Sequence, residues 1–338
     1  MTGMGRKPEA IAEAIGKAQR IAVCSHVNPD GDTLGCATAM RLALKELGKE
    51  VTLFCDGKVP DILSFLPGWE EIRVPGPHEG PFDLMLAVDV SDETRLGACE
   101  ALRTVCAHTA QIDHHPTNPL YMEINSVDGG APAAAVLIRE QLRVLGVGLT
   151  TEIAKCLYTG ISTDTGNFAF ASTNAECFRI MSELMEYQLP LGALNRILFR
   201  ERAMPQVKLI GRALCSLKYY ENGRIAVMKL TRKDFENCGA LSEHADTVVN
   251  FGLDTIGTRM AILAREQDGS RIKFSLRAKE PETINDVAQA FGGGGHPQAA
   301  GITMDGPLDE AVDRVLQAMI RKLKSNDLPE QQTTNQST

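Results

Sequence analysis

Short apolar runs alternate with longer amphipathic segments over the first 115 residues. The runs at 21–24, 51–55, 82–90 and 108–112 have the length and composition of buried strands. Apolar residues recur at helical spacing in 8–19, 34–47 and 96–106, and a short helix is predicted at 59–66. Strands that alternate with helices predict parallel βαβ units. We therefore expect an α/β domain with a doubly wound, mainly parallel sheet flanked by helices.

The pattern changes after residue 130. Helical spacing dominates 133–145, 150–162, 174–187, 191–200 and 204–217. Two pairs of apolar runs follow, turning at 221–224 and at Asp268-Gly269, which predicts β-hairpins in a smaller C-terminal α+β domain. The predicted division is a first domain at 1–204, a connecting helix at 205–217, a second domain at 218–326 and a polar, disordered tail at 327–338.

The composition is that of a globular protein without targeting segments. Of the 338 residues 43% are hydrophobic and 23% are charged, and no run approaches the ~18 apolar residues of a transmembrane helix. No apolar signal core follows Arg6 and Lys7, and the nine cysteines include no CxxC pair. We therefore expect a cytoplasmic protein with no membrane association and no disulfide framework.

The charge is negative and unevenly distributed. A formal net charge of −8 argues against long duplex nucleic acid as a partner, because such binding needs many Lys and Arg contacts to phosphate. Residues 1–204 carry 18 Lys and Arg against 26 Asp and Glu, whereas residues 205–300 carry 13 against 11. An acidic first domain and a slightly basic second domain suit a metal-binding half and an anion-binding half.

One imidazole and two carboxylates lie within the seven residues 26–32, His-Val-Asn-Pro-Asp-Gly-Asp. The stretch follows a predicted strand and precedes a predicted helix. Pro29 fixes φ and Gly31 permits a positive φ, so a tight turn can aim His26, Asp30 and Asp32 at one point. Nitrogen and hard oxygen ligands suit Mn²⁺ or Mg²⁺, with Zn²⁺ as a further option. An acidic turn that caps the next helix is the alternative for this stretch alone.

Further carboxylates and imidazoles follow other predicted elements. Asp89 and Asp113-His114-His115 come directly after strands, and Asp164 lies in the Gly-, Ser- and Thr-rich stretch 160–168 at a predicted helix end. Because ligands bind beyond the carboxyl ends of parallel strands, we expect these groups to share one sheet edge. Six such ligands, one of them shared, can hold two hard divalent ions about 3.5–4 Å apart. The candidate metal ligands are His26, Asp30, Asp32, Asp89, His114 and Asp164.

The adjacent histidines and a glycine-rich stretch supply the remaining candidates. One of His114 and His115 can bind metal while the other, when protonated, donates to a phosphate oxygen or leaving group, and Asp113 can orient an imidazole. The run of four glycines that ends at His296 predicts an anion-binding nest of backbone N–H groups. The candidate substrate-binding residues are Gly293, Gly294, Gly295, His296, Arg277 at a strand end, and Arg95, for which a surface position at a helix start is an equal alternative.

Four of these segments resemble, in the same order, the four motifs of the DHH phosphoesterases. They are 26–32, Val-Asp-Val-Ser-Asp at 88–92, Asp-His-His at 113–115, and 160–168. The stretch 292–301 resembles the glycine-rich motif of the DHH-associated C-terminal domain. Length and two-domain layout are most similar to the branch of oligoribonucleases (nanoRNases) and 3′-phosphoadenosine-5′-phosphate phosphatases.

The resemblance implies an active site in the cleft between the domains with two Mn²⁺ ions, for which Mg²⁺ or another divalent metal can substitute. It implies that one ion is held by His26, Asp30 and Asp89, and the other by Asp32, Asp89, His114 and Asp164. It also implies that His115 contacts the scissile phosphate or assists the leaving group, while Arg277 and His296 bind a substrate phosphate or the terminal nucleotide.

The function that this resemblance implies is hydrolysis of very short oligonucleotides to 5′-mononucleotides. The expected partners are short single-stranded RNA or DNA, linear dinucleotides such as pApA and pGpG, and nucleotide bisphosphates such as 3′-phosphoadenosine-5′-phosphate, which would give AMP. A homodimer is left open.

Other roles within and outside the superfamily remain as alternatives. A processive single-strand exonuclease would carry further nucleic-acid-binding domains and a basic surface, and a membrane-bound cyclic-dinucleotide phosphodiesterase would carry transmembrane helices. An inorganic pyrophosphatase would lack the glycine-rich motif with its histidine. A non-catalytic nucleotide-binding module would have lost a metal ligand, whereas all six are present.

Overall fold

The computed structural model describes residues 5–326, so the predicted disordered tail at 327–338 lies outside the described residues. The chain divides into two compact units, Met1–Glu201 and Arg202–Thr338, and each is described by itself.

The sheet of the first unit has five parallel strands in the order β2-β1-β3-β4-β5. The strands are β1 (Arg20–Cys24), β2 (Glu50–Phe54), β3 (Phe82–Val88), β4 (Cys106–Asp113) and β5 (Ile124–Val127). The predicted parallel, doubly wound sheet is confirmed. Strand β5 was not predicted, because Ile-Asn-Ser-Val is too short and too polar to form an apolar run.

The two faces of this sheet are covered differently: the α-helices form the core on one face, and the 3₁₀ stretch Glu93–Thr104 packs on the other. The α-helices of the unit are α1 (Pro8–Lys17), α2 (Gly31–Glu46), α3 (Ala134–Val144), α4 (Thr151–Asp164), α5 (Ala175–Met185) and α6 (Leu191–Phe199). Ile21 and Val23 pack with these helices in the larger core, whereas Ala22 and Cys24 pack on the opposite face. Alternate residues of a strand point to opposite faces, so β1 is buried on both sides.

Two predicted helices take a different form. The segment predicted at 96–106 is a 3₁₀ stretch, Glu93–Thr104, that is interrupted at Gly97, where φ is 54°. A side chain at Gly97 would collide with Asp56 and Val27, so the close approach of these residues explains the glycine and the break. The segment predicted at 59–66 is helical only over the single 3₁₀ turn Asp61–Leu63, and a further 3₁₀ turn lies at Trp69–Glu71.

The second unit contains a six-stranded sheet in the order β10-β11-β9-β8-β7-β6. Its strands are β6 (Lys218–Tyr220), β7 (Ile225–Leu230), β8 (Met260–Glu266), β9 (Arg271–Ala278), β10 (Gly294–His296) and β11 (Ala299–Asp305). Only β7 and β8 run parallel; the other neighbours are antiparallel. Both predicted hairpins, β6–β7 and β8–β9, are confirmed, and so is the smaller α+β domain.

Two apolar layers enclose this second sheet. Its helices are α7 (Met204–Cys215), α8 (Arg232–Cys238), α9 (Val249–Leu253), α10 (Asn285–Ala290) and α11 (Leu308–Asn326), with a 3₁₀ turn at Ser242–Ala245. Residues of α10 and α11 pack on one face, and residues of α7, α8 and α9 pack on the other. Helix α7, predicted as a connection, contributes Leu209, Ile210 and Ala213 to that second core. Within residues 5–326, no helix has both the length and the apolar character required to cross a bilayer.

Candidate metal centre

The ends of three parallel strands deliver polar side chains to one edge of the first sheet. His26 follows β1, Asp89 follows β3, and His114 follows β4. Strand β1 lies between β2 and β3, so the loops after β1 and β3 leave where the strand order reverses, which is the usual position of a ligand site in such sheets. Asp164, the last residue of α4, joins them, and all six predicted metal ligands lie together.

The first group of three ligands is centred on His26. Its Nε2 atom lies 3.6 Å from Asp30 Oδ2 and 3.7 Å from Asp89 Oδ2. Asp30 is also the N-cap of α2, because its Oδ1 accepts hydrogen bonds from the N–H groups of Asp32 (3.0 Å) and Thr33 (3.2 Å). The helix-capping alternative and the ligand hypothesis therefore both fit Asp30: one oxygen caps the helix and the other faces His26.

The second group has four ligands and is centred on His114. Its Nε2 atom lies 3.2 Å from Asp164 Oδ2, 3.4 Å from Asp89 Oδ1 and 4.0 Å from Asp32 Oδ2. Asp89 thus presents one carboxylate oxygen to each group. The two groups form one continuous cluster with Asp89 at its centre.

Backbone carbonyl groups orient both imidazoles. The Nδ1 atom of His26 lies 2.8 Å from the Val27 carbonyl oxygen, and that of His114 lies 3.1 Å from the Ala131 carbonyl oxygen. A carbonyl oxygen can only accept, so Nδ1 carries the proton in each ring and Nε2 keeps its lone pair when the ring is neutral. Both lone pairs point toward carboxylate oxygens, an arrangement that requires a proton or a cation between them.

The sequence predicts Asp32 in a tight turn, whereas the structure places it in a helix. It lies in the first turn of α2 and is fully buried. The Ala134 N–H donates to its Oδ2 (2.6 Å) and the Ala135 N–H to its Oδ1 (3.0 Å), so the positive N-terminal end of α3 stabilises this carboxylate. Burial nevertheless raises the pKa of Asp32, while the charge of His114 opposes that rise.

The predicted role of Gly31 as the residue with positive φ is wrong. Gly31 is helical, and the left-handed residue of the loop is Asn28, at φ 53°. Asn adopts this conformation more readily than most residues. Gly31 is required for close packing instead, because a Cβ there would lie 2.6 Å from the side chain of Thr163 on α4. Gly160 of the same helix has the same role toward Asp32, whose Oδ1 would lie 2.5 Å from an added Cβ.

Asp89 has the most unfavourable environment in the cluster when no cation is present. It is 2% exposed, its φ is 58°, and its Oδ1 has no hydrogen-bond donor within residues 5–326. Burial and the charge of Asp32 raise the pKa of Asp89 well above its ordinary value. A buried, unpaired carboxylate oxygen on a strained backbone is costly, and such features concentrate at functional sites.

The other titrating groups of the cluster respond in the same way. Burial and the charge of Asp32 raise the pKa of Asp164 to about 8. Burial lowers the pKa of His114, but its close contact with the Asp89 carboxylate (3.4 Å) and the charge of Asp32 outweigh that effect and raise it to about 10. The cluster therefore retains protons at neutral pH. The nitrogen and oxygen donors, the unpaired Asp89 oxygen and the retained protons together fit hard divalent cations.

His115 and Asp113 form a pair beside the metal ligands, and His115 Nδ1 also lies 3.7 Å from Asp89 Oδ1. The His115 Nδ1–H donates to Asp113 Oδ1 (2.8 Å), and the His115 ring lies 4.7 Å from the His114 ring, centroid to centroid. Asp113 is fully buried and also accepts from Asn118 Nδ2 (2.7 Å). Burial raises the pKa of Asp113, but the hydrogen bonds from His115 and Asn118 outweigh it and lower the pKa. Asp113 thus orients His115, not His114, and remains an anion.

Several residues that hold the cluster were not identified from the sequence. Asn118 fixes Asp113, and the backbone of 131–135 orients His114 and Asp32. Arg6 holds the preceding loop, because its Nε donates to Asp128 Oδ2 (2.8 Å). The order of residue types does not reveal which backbone N–H and carbonyl groups will bond to these side chains. The sequence marks Arg6 only as a charge near the N-terminus.

Arg95 lies next to the first ligand loop through its backbone. Its carbonyl oxygen accepts from the Val27 N–H (2.8 Å), directly after His26. Arg95 is the third residue of the 3₁₀ stretch, which Asp92 caps, and its side chain is half-buried. Contact of the Arg95 side chain with substrate stays a prediction.

In the second unit, Arg277 and His296 lie on the same face of the sheet. His296 on β10 is directly opposite Ala299 on β11, and Ala299 is opposite Arg277 on β9. Residues opposite each other share a face, so the two side chains are separated by two strand spacings, about 10 Å, with only a methyl group between them. The Arg277 guanidinium donates to the Leu276 carbonyl (3.0 Å) and forms no ion pair with a carboxylate of residues 5–326.

The glycine run does not form the predicted nest. The N–H groups of Gly292 and Gly293 donate to carbonyl groups at the end of α10, and Gly294 and Gly295 belong to the edge strand β10. A Cβ at Gly295 would collide with the β11 backbone, so glycine is needed here for close strand pairing. The neighbouring cross-strand positions on the same face are Ser275, Gly301 and Gly294. Their small side chains leave an open floor, meaning a surface without large side chains, beside Arg277 and His296.

Comparison with known proteins agrees with this architecture. The DHH family, N-terminal domain, matches residues 20–161, and the DHHA1 domain matches residues 222–325. The bifunctional oligoribonuclease and PAP phosphatase NrnA of Thermus thermophilus is 34% identical over 305 residues, which cover 90% of each chain. The protein of the same name from Bacillus subtilis is 30% identical over 294 residues, which cover 86% of this chain and 90% of that protein.

Solved structures show the same fold. An exopolyphosphatase-related protein from Bacteroides fragilis matches with a TM-score of 0.88 and 25% identity over 95% of this chain and 97% of that one. RecJ from Thermus thermophilus, solved in complex with Mn²⁺, matches with a TM-score of 0.52 and 16% identity over 95% of this chain and 54% of that one. The chain therefore belongs to the DHH family of phosphoesterases, in the group that combines a DHH domain with a DHHA1 domain.

Proposed function

We propose that this protein is a Mn²⁺-dependent phosphoesterase that hydrolyses very short single-stranded oligonucleotides to 5′-mononucleotides and removes the 3′-phosphate of 3′-phosphoadenosine-5′-phosphate. The observation that carries the proposal is the cluster around Asp89, which presents one oxygen to each of two ligand groups. The relatives that share 30–34% identity with this chain are named for two activities in combination, oligoribonuclease and PAP phosphatase.

The ligand groups suggest how two ions would be held. We assign His26, Asp30 and Asp89 to one ion, and Asp32, Asp89, His114 and Asp164 to the other. When bound, such a pair of ions activates a water molecule and neutralises the charge of the phosphate. Mg²⁺ is the alternative ion, because hard oxygen donors dominate both groups.

The chain's own proton donor in this proposal is His115. Asp113 keeps the proton on Nδ1 of His115, so the Nε2 atom is the one that can transfer a proton. Donation from Nε2 requires the imidazolium form of the ring. We therefore assign His115 to protonation of the leaving oxygen and Asp113 to its orientation.

The second unit contributes an anion-binding face. Arg277 has a charge without a carboxylate partner among residues 5–326, and His296 is exposed on the same face. The floor of Ser275, Gly301 and Gly294 leaves room for a ligand to approach the backbone. We propose that this face, including Gly293–Gly295 at its edge, binds a phosphate of the substrate.

The test uses the purified full chain with RNA and DNA of two to five nucleotides, a 24-mer, and 3′-phosphoadenosine-5′-phosphate. Each substrate is incubated with Mn²⁺, with Mg²⁺ or with EDTA, and the products are separated by chromatography. We expect mononucleotides from the short oligonucleotides and AMP from the bisphosphate, only with metal. The variant Asp89→Asn should be inactive, whereas Asp61→Asn, an exposed carboxylate of the same unit, should match the wild type.

Two results would overturn the proposal. Cleavage of the 24-mer as fast as the dinucleotide would favour the exonuclease alternative. Undiminished activity in EDTA, or in Asp89→Asn, would contradict the metal assignment.

A further inference from the structure

The motif at 160–168 ends in a left-handed turn that begins two residues after Asp164. Gly166, Asn167 and Phe168 have φ values of 57°, 56° and 67°. Gly and Asn adopt this region readily, whereas the bulky side chain of Phe168 makes it unfavourable. Hydrogen bonds hold the turn: Asn167 N–H donates to the Ser162 carbonyl (2.6 Å) and Phe168 N–H to Thr165 Oγ1 (3.1 Å). Strained backbone of this kind is typical of functional segments.

The ring of Phe170 packs on the loop that follows Asp164. A Cβ at Gly166 would lie 2.5 Å from Cε1 and Cζ of Phe170, so the ring packs directly on the Gly166 backbone. Gly166 is only two residues after Asp164, a candidate metal ligand. The Phe170 side chain is nevertheless 58% exposed. One side of the ring therefore rests on backbone next to the cluster, and the rest is open to solvent.

Neighbouring aromatic residues have a different role. Phe168 is half-buried and packs on the apolar core of the first unit. Its ring lies 5.5 Å from that of Phe178, centroid to centroid, at an interplanar angle of 31°. Phe178 is 57% exposed on α5, and its ring packs on the Phe168 side chain, whereas the Phe170 ring packs on the Gly166 backbone. Phe170 is thus an exposed ring in direct contact with the backbone of the loop after Asp164.

We propose that Phe170 is a stacking platform for a nucleobase of the substrate, an inference that rests on the proposed function. A phosphate bound at the cluster has a nucleoside attached to it. Phe170 is an exposed aromatic ring that packs on the loop directly after the candidate ligand Asp164. Aromatic rings stack on bases of any sequence, because every base has a π-face. The platform therefore contributes affinity for nucleotides over sugar phosphates without selecting one base.

The test compares binding of AMP and of ribose 5-phosphate by calorimetry in the presence of Mn²⁺. The proteins are the full-length wild type, Phe170→Ala, Phe170→Tyr, and Phe178→Ala as the matched exposed-phenylalanine control. We expect Phe170→Ala to weaken AMP binding by about 5- to 150-fold and to leave ribose 5-phosphate binding unchanged. Phe170→Tyr, which keeps the ring, and Phe178→Ala should both bind AMP like the wild type.

The outcomes separate this inference from the proposed function. Equal binding of AMP by the wild type and Phe170→Ala, or equal loss of both ligands, overturns the stacking platform while hydrolysis of short oligonucleotides remains intact. A shift in sedimentation of both Phe170→Ala and Phe178→Ala would show that a second copy of the chain covers these rings, which also overturns it. Failure of the wild type to hydrolyse any substrate, with the base-dependent affinity retained, would contradict only the proposed function.

Discussion

Replacing Arg6 should weaken metal binding, although Arg6 contacts no ligand of the cluster. Its guanidinium makes four hydrogen bonds of 2.8–3.3 Å to Asp128, Glu140 and Glu176. Asp128 accepts from the Gly130 N–H (2.9 Å) and shapes the loop that ends at residue 131. The carbonyl at 131 orients His114, as described above, so Arg6 is a positioning residue that acts on a ligand through Asp128 and the backbone of 130–131.

The expected loss of stability in Arg6→Ala follows from how far the Arg6 side chain is exposed to solvent. The Arg6 side chain is 27% exposed, so its ion pairs are partly screened. We expect Arg6→Ala to lower the free energy of unfolding by about 2–3 kcal/mol, between the values for exposed pairs and for buried charge-assisted bonds. That corresponds to a fall in Tm of about 4–12 °C for a unit of this size. Loss of the support for His114 should weaken Mn²⁺ binding by about 10-fold, the lower end of the range for residues behind metal ligands.

Arg103 provides a matched control for this experiment. Its side chain is also 27% exposed, and it bonds to Glu93 (2.6 Å), Glu100 (2.9 Å) and the Tyr121 carbonyl (3.1 Å). It has no contact with the loop at 128–131. Arg103→Ala should therefore cost similar stability and leave the Mn²⁺ affinity unchanged.

The assay is calorimetric titration of Mn²⁺ together with thermal unfolding of each variant. Arg6→Lys should recover part of the affinity, because a lysine keeps the charge but cannot bind two carboxylates with a planar fork. The reasoning is refuted if Arg6→Ala binds Mn²⁺ like the wild type. It is also refuted if Arg103→Ala loses as much affinity as Arg6→Ala, since the effect would then follow from stability alone.

Two further predictions concern packing and pH. Gly160→Ala brings a Cβ to 2.5 Å from Asp32 Oδ1, so it should lower the free energy of unfolding by about 1–3 kcal/mol and remove most of the activity. The control is Gly16→Ala in α1, where an added Cβ meets nothing within 4 Å. This variant should leave the free energy of unfolding unchanged or raise it by up to about 1 kcal/mol. Equal Tm and activity of both variants would contradict the packing argument. In EDTA, Tm should fall as the pH rises from 5 to 9. The pKa values of Asp164 (about 8) and His114 (about 10) in the folded protein exceed those in the unfolded chain. The folded state therefore holds more protons than the unfolded state over this range, and raising the pH destabilises it. Saturating Mn²⁺ should displace those protons and reverse the trend, and a metal-free Tm that rises over this range would refute the assignment.

The sequence determined the architecture because the informative patterns are local. Alternating apolar runs and helical periodicity depend on neighbours within a few residues, and they predicted four of the five parallel strands and both hairpins. The candidate ligands were also accessible, since parallel strands must end at one sheet edge. His26, Asp89 and His114 therefore meet by topology alone, and Asp164 could be assigned through the helix end that it occupies.

The tertiary structure alone decided how those ligands are held. Asp32 bonds to the N–H groups of Ala134 and Ala135, more than 100 residues away, and the Ala131 carbonyl fixes the protonated nitrogen of His114. Backbone groups are identical at every position, so no residue pattern marks the ones that make such contacts. The pairing register likewise put Arg277 and His296 on one face and turned the expected glycine nest into an edge strand.

The distinction between Gly31 and Asn28 has the same physical origin. Either residue can adopt a positive φ, and the sequence favours glycine for that role. The choice depended on Thr163 of α4, which leaves no space for a side chain at Gly31 once the helix has packed. Local conformational preference defines what a residue can do, and contacts between distant segments select which of those possibilities is used.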